Sequence, residues 1–183
     1  MRNKKELIYL AVIIILIGLC GQFWYSYKFI PSQERDVKVY YNQDHELNKE
    51  IIQLTRDADK FVYFAVYTFT RQDIKEALLA AKYRGLDVRG ITDRDQYNQL
   101  DSQKKLIDDL RKAGIPVSVQ DHLGIMHLKV IVTDKGYASG SYNWTSAATN
   151  LNDEVLEVGH DEKLRASFQA ILEKLLNLYQ AKQ

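Results

Sequence analysis

Hydrophobic positions along the chain follow two patterns, short continuous runs and longer stretches with helical spacing. Residues 61–67 form an apolar, β-branched run that predicts a buried strand, whereas residues 44–57 have the spacing of an amphipathic helix. Thr70 and Asp73 resemble a capping box that begins another helix. Further strands are predicted at residues 37–41, 87–92, 115–119, 127–133, 137–142 and 155–160, and helices at residues 70–84, 100–112 and 164–179. This order predicts an α/β fold with a mixed β-sheet flanked by helices.

The N-terminal segment differs from the rest, because basic residues precede an apolar run from Leu7 to Cys20 and an aromatic cluster follows it. Residues 7–25 are long enough to span a bilayer as a hydrophobic helix, although the apolar core alone also fits a signal peptide. We predict a retained single-pass anchor, because no Ala-x-Ala site follows and the aromatic residues resemble an interfacial belt. A secreted or periplasmic protein, released by signal cleavage, is the alternative.

Domain boundaries follow from this pattern. We predict a membrane segment at residues 1–30, a linker at residues 31–36 and one catalytic domain at residues 37–183. The basic leading flank predicts a cytosolic N-terminus at the cell membrane, with the catalytic domain extracytoplasmic. The net charge of +1 means that any polyanion must be held by a local patch. Cys20 is the only cysteine, which excludes an intrachain disulfide and a multi-cysteine zinc site.

Two pairs of polar residues occur in the predicted hairpin of residues 127–142. His127 and Lys129 are two positions apart at the start of a β-branched run, and Ser141 and Asn143 repeat this spacing on the neighbouring strand. Residues i and i+2 of a strand share a face, so strand pairing could bring all four side chains together. An imidazole, an ammonium, a hydroxyl and an amide suit a tetrahedral phosphate. The alternative is a solvated sheet face followed by a turn.

These residues also carry a family resemblance. His127-x-Lys129-x4-Asp134, followed by Gly140-Ser141-x-Asn143, resembles the HKD motif of the phospholipase D superfamily. The continuation through Asn152-Asp153-Glu154 is similar to the single-motif, Nuc-type bacterial endonucleases, and the likeness covers roughly residues 37–180. It implies a phospholipase D-like α-β-α sandwich. Five residues separate Asp134 from Gly140 where the family usually has six, which leaves the register of the two strands open.

The resemblance implies a phosphodiesterase that needs no metal and no other cofactor. His127 would attack phosphorus and form a phosphohistidine, while Lys129 and Asn143 hold the non-bridging oxygens with help from Ser141. Glu154 would fix the other ring nitrogen of the histidine, which selects the tautomer that attacks.

Two further residues complete the predicted site. Asp134 belongs to the motif, but we expect it to act indirectly, as a structural or orienting residue. Trp144 follows Asn143 directly and could bind substrate by stacking on an unpaired base.

The implied mechanism needs a second histidine to protonate the leaving oxygen. The other histidines are His45, His122 and His160, and none begins a His-x-Lys sequence. We therefore predict a homodimer in which two copies of His127 share one active site. A metal site at Asp121 and His122 is disfavoured, because these residues lack a clean ligand spacing.

Three functions are compatible with this sequence. The first is hydrolysis of nucleic acid, either DNA or RNA, with single-stranded DNA as the favoured substrate. The second is a membrane-anchored phospholipase D or cardiolipin hydrolase, although no long apolar stretch after residue 30 indicates an acyl-chain groove. The third is a non-catalytic nucleic-acid-binding module, which the intact motif disfavours.

Overall fold

The protein consists of two compact units that divide between residues 34 and 35. A computed structural model describes residues 3–28 and 36–180, so the predicted linker at residues 31–36 lies outside the described residues except for Asp36. In the first unit, helix α1 covers Lys4–Lys28. Its span Lys4–Tyr25 has 22 residues and is long and apolar enough to cross a membrane, and its described apolar side chains are exposed. The predicted hydrophobic helix is confirmed.

The second unit contains seven strands and six helices among its described residues. In chain order they are β1 (Val37–Tyr41), α2 (Leu47–Asp57), β2 (Phe61–Val66), α3 (Gln72–Tyr83), β3 (Asp87–Thr92), α4 (Arg94–Gln99), α5 (Asp101–Lys112), β4 (Val117–Val119), β5 (Lys129–Thr133), β6 (Tyr137–Gly140), α6 (Ser146–Asn150), β7 (Val155–Gly159) and α7 (Glu162–Gln180). Every predicted strand and helix is present, with boundaries that move by up to three residues. The two short helices α4 and α6 were not predicted.

The strands form one mixed sheet in the order β1-β7-β6-β5-β2-β3-β4. β2, β3 and β4 run parallel to one another. The pairs β1–β7, β7–β6, β6–β5 and β5–β2 are antiparallel. The predicted hairpin pairs Val130 with Ser139 and Val132 with Tyr137, which settles the register that the short Asp134–Gly140 spacing had left open.

Helices cover both faces of the sheet and bury a core on each. Leu47 of α2, Leu78 of α3 and Leu106 of α5 pack on one face, against a cluster that includes Phe64 and Ile131. On the other face, α7 packs against a second cluster through three buried side chains, Leu172, Leu176 and Tyr179. Strand side chains alternate between these two cores because neighbouring residues point to opposite faces. The predicted α-β-α sandwich is confirmed.

Helix ends follow the sequence at some positions and not at others. Gly85 and Gly114 lie just beyond α3 and α5 with φ of 90° and 81°, a conformation that glycine adopts without steric cost. The capping box at Thr70 and Asp73 is wrong, because Arg71 is the N-cap residue and makes no side-chain capping bond. The Asp73 carboxylate instead accepts a 2.8 Å hydrogen bond from Nε of Arg71.

Candidate active site

Three strand ends meet at one edge of the sheet. β6 lies between β5 and β7 and is antiparallel to both, so the beginnings of β5 and β7 lie beside the end of β6. Five predicted site residues occur at these ends: His127 and Lys129 at the start of β5, Ser141 and Asn143 after β6, and Glu154 before β7. The fold thus brings both polar pairs and the acidic residue to the same edge.

His127 and Lys129 differ in burial although they are two positions apart. β5 begins at Lys129, so His127 precedes the strand and its side chain is exposed. Lys129 is only 5% exposed, and its Nζ donates to the carbonyl oxygen of His127 at 3.0 Å. Burial lowers the pKa of Lys129, and the negative charge of Glu154 partly opposes this shift. Leu128, which lies between them in the chain, is 36% exposed.

Ser141 and Glu154 form a tight hydrogen-bonded pair. The hydroxyl of Ser141 donates to Oε2 of Glu154 at 2.5 Å and accepts from the N–H of Val155 at 3.1 Å. Asn152 donates to the other carboxylate oxygen at 3.1 Å. Gly140 allows β6 to lie close to Val155 of β7, because a Cβ atom at position 140 would lie 2.2 Å from the carbonyl oxygen of Val155. A glycine is therefore required where β6 meets β7.

These bonds correct the expected role of Glu154. Its two carboxylate oxygens accept from Ser141 and Asn152, and no hydrogen bond joins it to His127 within residues 36–180. The ring contact of His127 is instead with Tyr67, whose ring centroid is 4.8 Å away at an interplanar angle of 62°. A single chain therefore does not orient its histidine through Glu154.

Asn143 is held by the backbone that follows β2. Its Oδ1 accepts from the N–H of Thr68 at 3.2 Å. An amide has two N–H donors besides this acceptor, so the nitrogen is the part of Asn143 that can reach a phosphate oxygen.

Asp134 does not belong to the site. It follows β5, at the opposite end of the strand from Lys129. Its Oδ1 accepts from the backbone N–H groups of Asp59 and Lys60, each at 3.0 Å. Burial opposes ionisation of Asp134, but these two hydrogen bonds hold its pKa below the usual value. Asp134 thus fastens the hairpin turn to the loop before β2, which agrees with the indirect, structural role expected from the sequence.

Trp144 is likewise misassigned as a substrate-binding residue. It is 1% exposed and packs against Phe64 and Phe69, with ring centroids 5.5 Å and 4.9 Å away. A side chain enclosed in this way cannot stack on a base. Trp144 instead fixes the chain after Asn143, because its backbone N–H donates to Thr68 and its carbonyl accepts from Thr70 and Arg71.

One important contributor, Asp93 at the end of β3, was missed by the sequence analysis. Asp93 is fully buried and accepts from the backbone N–H groups of Asp95, Gln96 and Met126, each at 2.9 Å, and from the side chain of Gln120. Burial opposes its ionisation, but the hydrogen bonds hold the pKa of Asp93 below its usual range. It ties the residue before His127 to the start of α4. Its spacing from Gln96 matches a helix-capping signal.

Comparison with known proteins identifies the family. A family model described as the phospholipase D-like domain of cardiolipin synthase matches residues 51–176, more than half of the chain. The chain belongs to the phospholipase D superfamily. The structure is similar to that of the phospholipase D family member Nuc from Salmonella typhimurium, with a TM-score of 0.72, 29% identity, and coverage of 79% of this chain and 95% of that one. NucT from Helicobacter pylori gives a TM-score of 0.70 and 26% identity, with 79% and 97% coverage.

Curated relatives of this phospholipase D-like chain carry lipid-related names. The mitochondrial cardiolipin hydrolase of Chlamydomonas reinhardtii is 36% identical over 123 residues, which are 67% of this chain and 54% of that protein. A phospholipase D from Rickettsia typhi is 30% identical over 143 residues, or 78% and 69% of the two chains. The chain thus spans about half of the first relative's length.

Proposed function

We propose that the chain hydrolyses the phosphodiester bonds of nucleic acid, with single-stranded DNA favoured, through attack by His127. The observation that carries the proposal is the cluster at the sheet edge, where the exposed His127 and the buried Lys129 at the start of β5 meet Asn143 after β6. These groups supply a nucleophile and donors for a charged phosphate. The Ser141–Glu154 pair closes the same edge.

The proposed reaction has two steps at phosphorus. A ring nitrogen of neutral His127 forms a bond to phosphorus while the bond to the leaving oxygen breaks, and a second, protonated histidine gives that oxygen its proton. Water then attacks the phosphohistidine, returns a proton to the second histidine and releases His127. Lys129 and Asn143 stabilise the charge on the non-bridging oxygens in both steps. No metal is expected in this scheme.

The second histidine comes from another copy of the chain. His45 lies 2.7 Å from Glu50, and Nδ1 of His160 lies 3.0 Å from the carbonyl oxygen of Lys135, at the hairpin turn. Nδ1 of His122 accepts from Gly124. Each of these imidazoles is thus engaged elsewhere, which supports a homodimer with one shared site.

Nucleic acid is the first choice because the Nuc-type chains are matched over almost their whole length, 95% and 97%. The second candidate is a phospholipid such as cardiolipin. The names of the curated relatives favour it, and so do three exposed apolar side chains next to His127: Leu123, Ile125 and Leu128.

A substrate panel separates these candidates. The full chain in detergent is incubated with single-stranded DNA, duplex DNA, RNA and cardiolipin, each with EDTA present. We expect cleavage of single-stranded DNA that is abolished in His127→Ala and kept in His122→Ala, a matched exposed histidine. Turnover of cardiolipin alone would favour the lipid, and binding of DNA without cleavage would favour the non-catalytic module. Full activity in His127→Ala would refute the mechanism.

The helix α1 supports a single-pass anchor, and the basic residues before it favour a catalytic domain outside the cytoplasm. Cys20 is the only cysteine, so a Cys20→Ser background allows single labelling sites to be introduced. A membrane-impermeant maleimide applied to intact cells should label Tyr83→Cys, which replaces an exposed residue of α3, but not Asn3→Cys. The reverse labelling would place the domain in the cytosol, and labelled protein in the medium would indicate cleavage.

A further inference from the structure

The ring of Tyr67 contacts two of the groups that the proposed function assigns to the phosphate, His127 and Lys129. Tyr67 follows β2 and is half-buried. Its ring centroid lies 4.8 Å from that of His127 and 5.1 Å from Nζ of Lys129. We propose that Tyr67 is a positioning residue, whose ring holds the nucleophile and the phosphate-binding ammonium in a fixed relation. This inference rests on the proposed function.

The ring suits this task because of its charge distribution. The face of an aromatic ring attracts a cation, most strongly where water is partly excluded. Lys129 is almost fully buried and must keep its charge to bind a phosphate. Glu154 provides a charge that favours the ammonium, and the face of Tyr67 adds a second contact that does so without occupying its donors.

The hydroxyl of Tyr67 is fixed from helix α4. Nε2 of Gln96 donates to this hydroxyl at 3.1 Å, and Oε1 of Gln96 accepts from the hydroxyl of Thr68 at 3.0 Å. The backbone N–H of Gln96 donates in turn to Asp93 at 2.9 Å. Because Thr68 also donates to Asn143, the same glutamine supports both phosphate-binding residues. Gln96 therefore acts on the site through Tyr67 and Thr68.

Tyr97 offers a matched control on the same helix. Its ring lies 4.6 Å from Nζ of Lys104 and 5.2 Å from the guanidinium carbon of Arg111, and its hydroxyl donates to Asp108 at 2.7 Å. It thus combines cation contacts with a hydroxyl hydrogen bond, as Tyr67 does, but none of these partners is at the site. Loss of Tyr97 reports the general effect of removing such a ring.

The test compares kinetics of the full chain in detergent, with bis(p-nitrophenyl) phosphate as a small phosphodiester. Tyr67→Leu should lower kcat about thirtyfold through loss of the ring contacts. Tyr67→Phe should lower it about fivefold through loss of one hydrogen bond, and Gln96→Ala, which removes two, at least as much. KM should change little in all three, because misalignment acts mainly in the transition state. Tyr97→Leu should keep its kcat.

An unchanged kcat in Tyr67→Leu would overturn the positioning role, and so would an equal loss of kcat in Tyr97→Leu. If Tyr67→Leu fails to fold, Gln96→Ala decides. A readout without turnover uses 13C-labelled histidine, since the chain has four histidines and His127→Ala identifies the signal of His127. Tyr67→Leu should displace only that signal, and an unmoved signal contradicts the inference. If the wild type were inactive but Tyr67→Leu still displaced the signal of His127, the nuclease function would be refuted, whereas the contact between the two rings would be supported.

Discussion

Lys129 is a residue at which function and stability have opposite requirements. The proposed phosphate contact requires a charged ammonium, yet the side chain is 5% exposed. Burial lowers the pKa of Lys129, so the charged form is less favourable in the folded than in the unfolded chain. The unfolded chain therefore binds more protons between the folded pKa and the ordinary value near 10.4, and stability rises with pH across that window. At neutral pH the full cost of the buried charge is present.

We predict that Lys129→Met abolishes activity but raises the free energy of unfolding by about 1 kcal/mol at neutral pH. Methionine fills similar space without a charge, so the desolvation cost disappears. Denaturant titrations at neutral pH and above pH 10 should show the gain shrinking as the wild-type lysine loses its proton. Lys135→Met is the control, because Lys135 is exposed at the other end of β5 and should bring no gain. A destabilised Lys129→Met would contradict the argument.

The site residues that could be predicted are those whose placement depends on local spacing. His127, Lys129, Ser141 and Asn143 reach one edge because each pair lies at an end of adjacent strands. Asp134 could not be assigned in this way, because its partners, Asp59 and Lys60, are 75 and 74 positions earlier in the chain. The enclosure of Trp144 depends on Phe64 and Phe69, which only the folded sheet brings beside it.

At the scale of elements, two similar sequence signals had different outcomes. Thr70 and Asp73 have the spacing of a capping box, but Asp73 pairs with Arg71 and forms no capping box with Thr70. Asp93 and Gln96 have the same spacing, and Asp93 does cap α4. The pattern alone cannot distinguish them, because a competing guanidinium decides the first case. The long strands and helices were predictable since their hydrophobic period extends over many residues.

We predict that Asp93→Asn destabilises the fold by about 2 to 3 kcal/mol, because an amide nitrogen would face the donors of Met126 or Gln120. The loop at residues 121–126 should then exchange its amide hydrogens faster, which mass spectrometry measures. The pKa of Asp93 is lowered, so its stabilisation is present above the unfolded value near 3.9 and is lost as pH falls through the folded value.

The matched control is Asp95→Asn, which changes a neighbouring carboxylate that is much more exposed. Asp95 pairs with Arg94 at 3.1 Å, and a pair of this kind contributes little. Its loss should leave both stability and loop exchange almost unchanged. Equal effects of the two substitutions would show that Asp93 does not specifically hold the loop before His127.

At the scale of the whole molecule, the sheet order determines where a second copy would bind in the proposed dimer. β5 lies between β6 and β2, and His127, the histidine of the motif, precedes β5. Each chain therefore presents this histidine at one edge of its sheet. The sequence predicted the sandwich and the hydrophobic helix, because both depend on periodicity and length. It could not predict how the antiparallel half joins the parallel half, since that requires pairings between distant residues, such as Val66 with Lys129.

A shared site makes a quantitative prediction for mixed dimers. Wild-type and His127→Ala chains are coexpressed with different tags at known ratios, and activity is measured per total protein. If each site requires a histidine from both copies, hybrids are inactive and activity follows the square of the wild-type fraction, about a quarter at equal amounts. Independent sites would give a straight line and half the activity. Coexpression with Tyr83→Ala, which alters an exposed residue of α3, should leave activity unchanged and controls for tagging. A straight line for His127→Ala would mean that the proton donor lies within one chain.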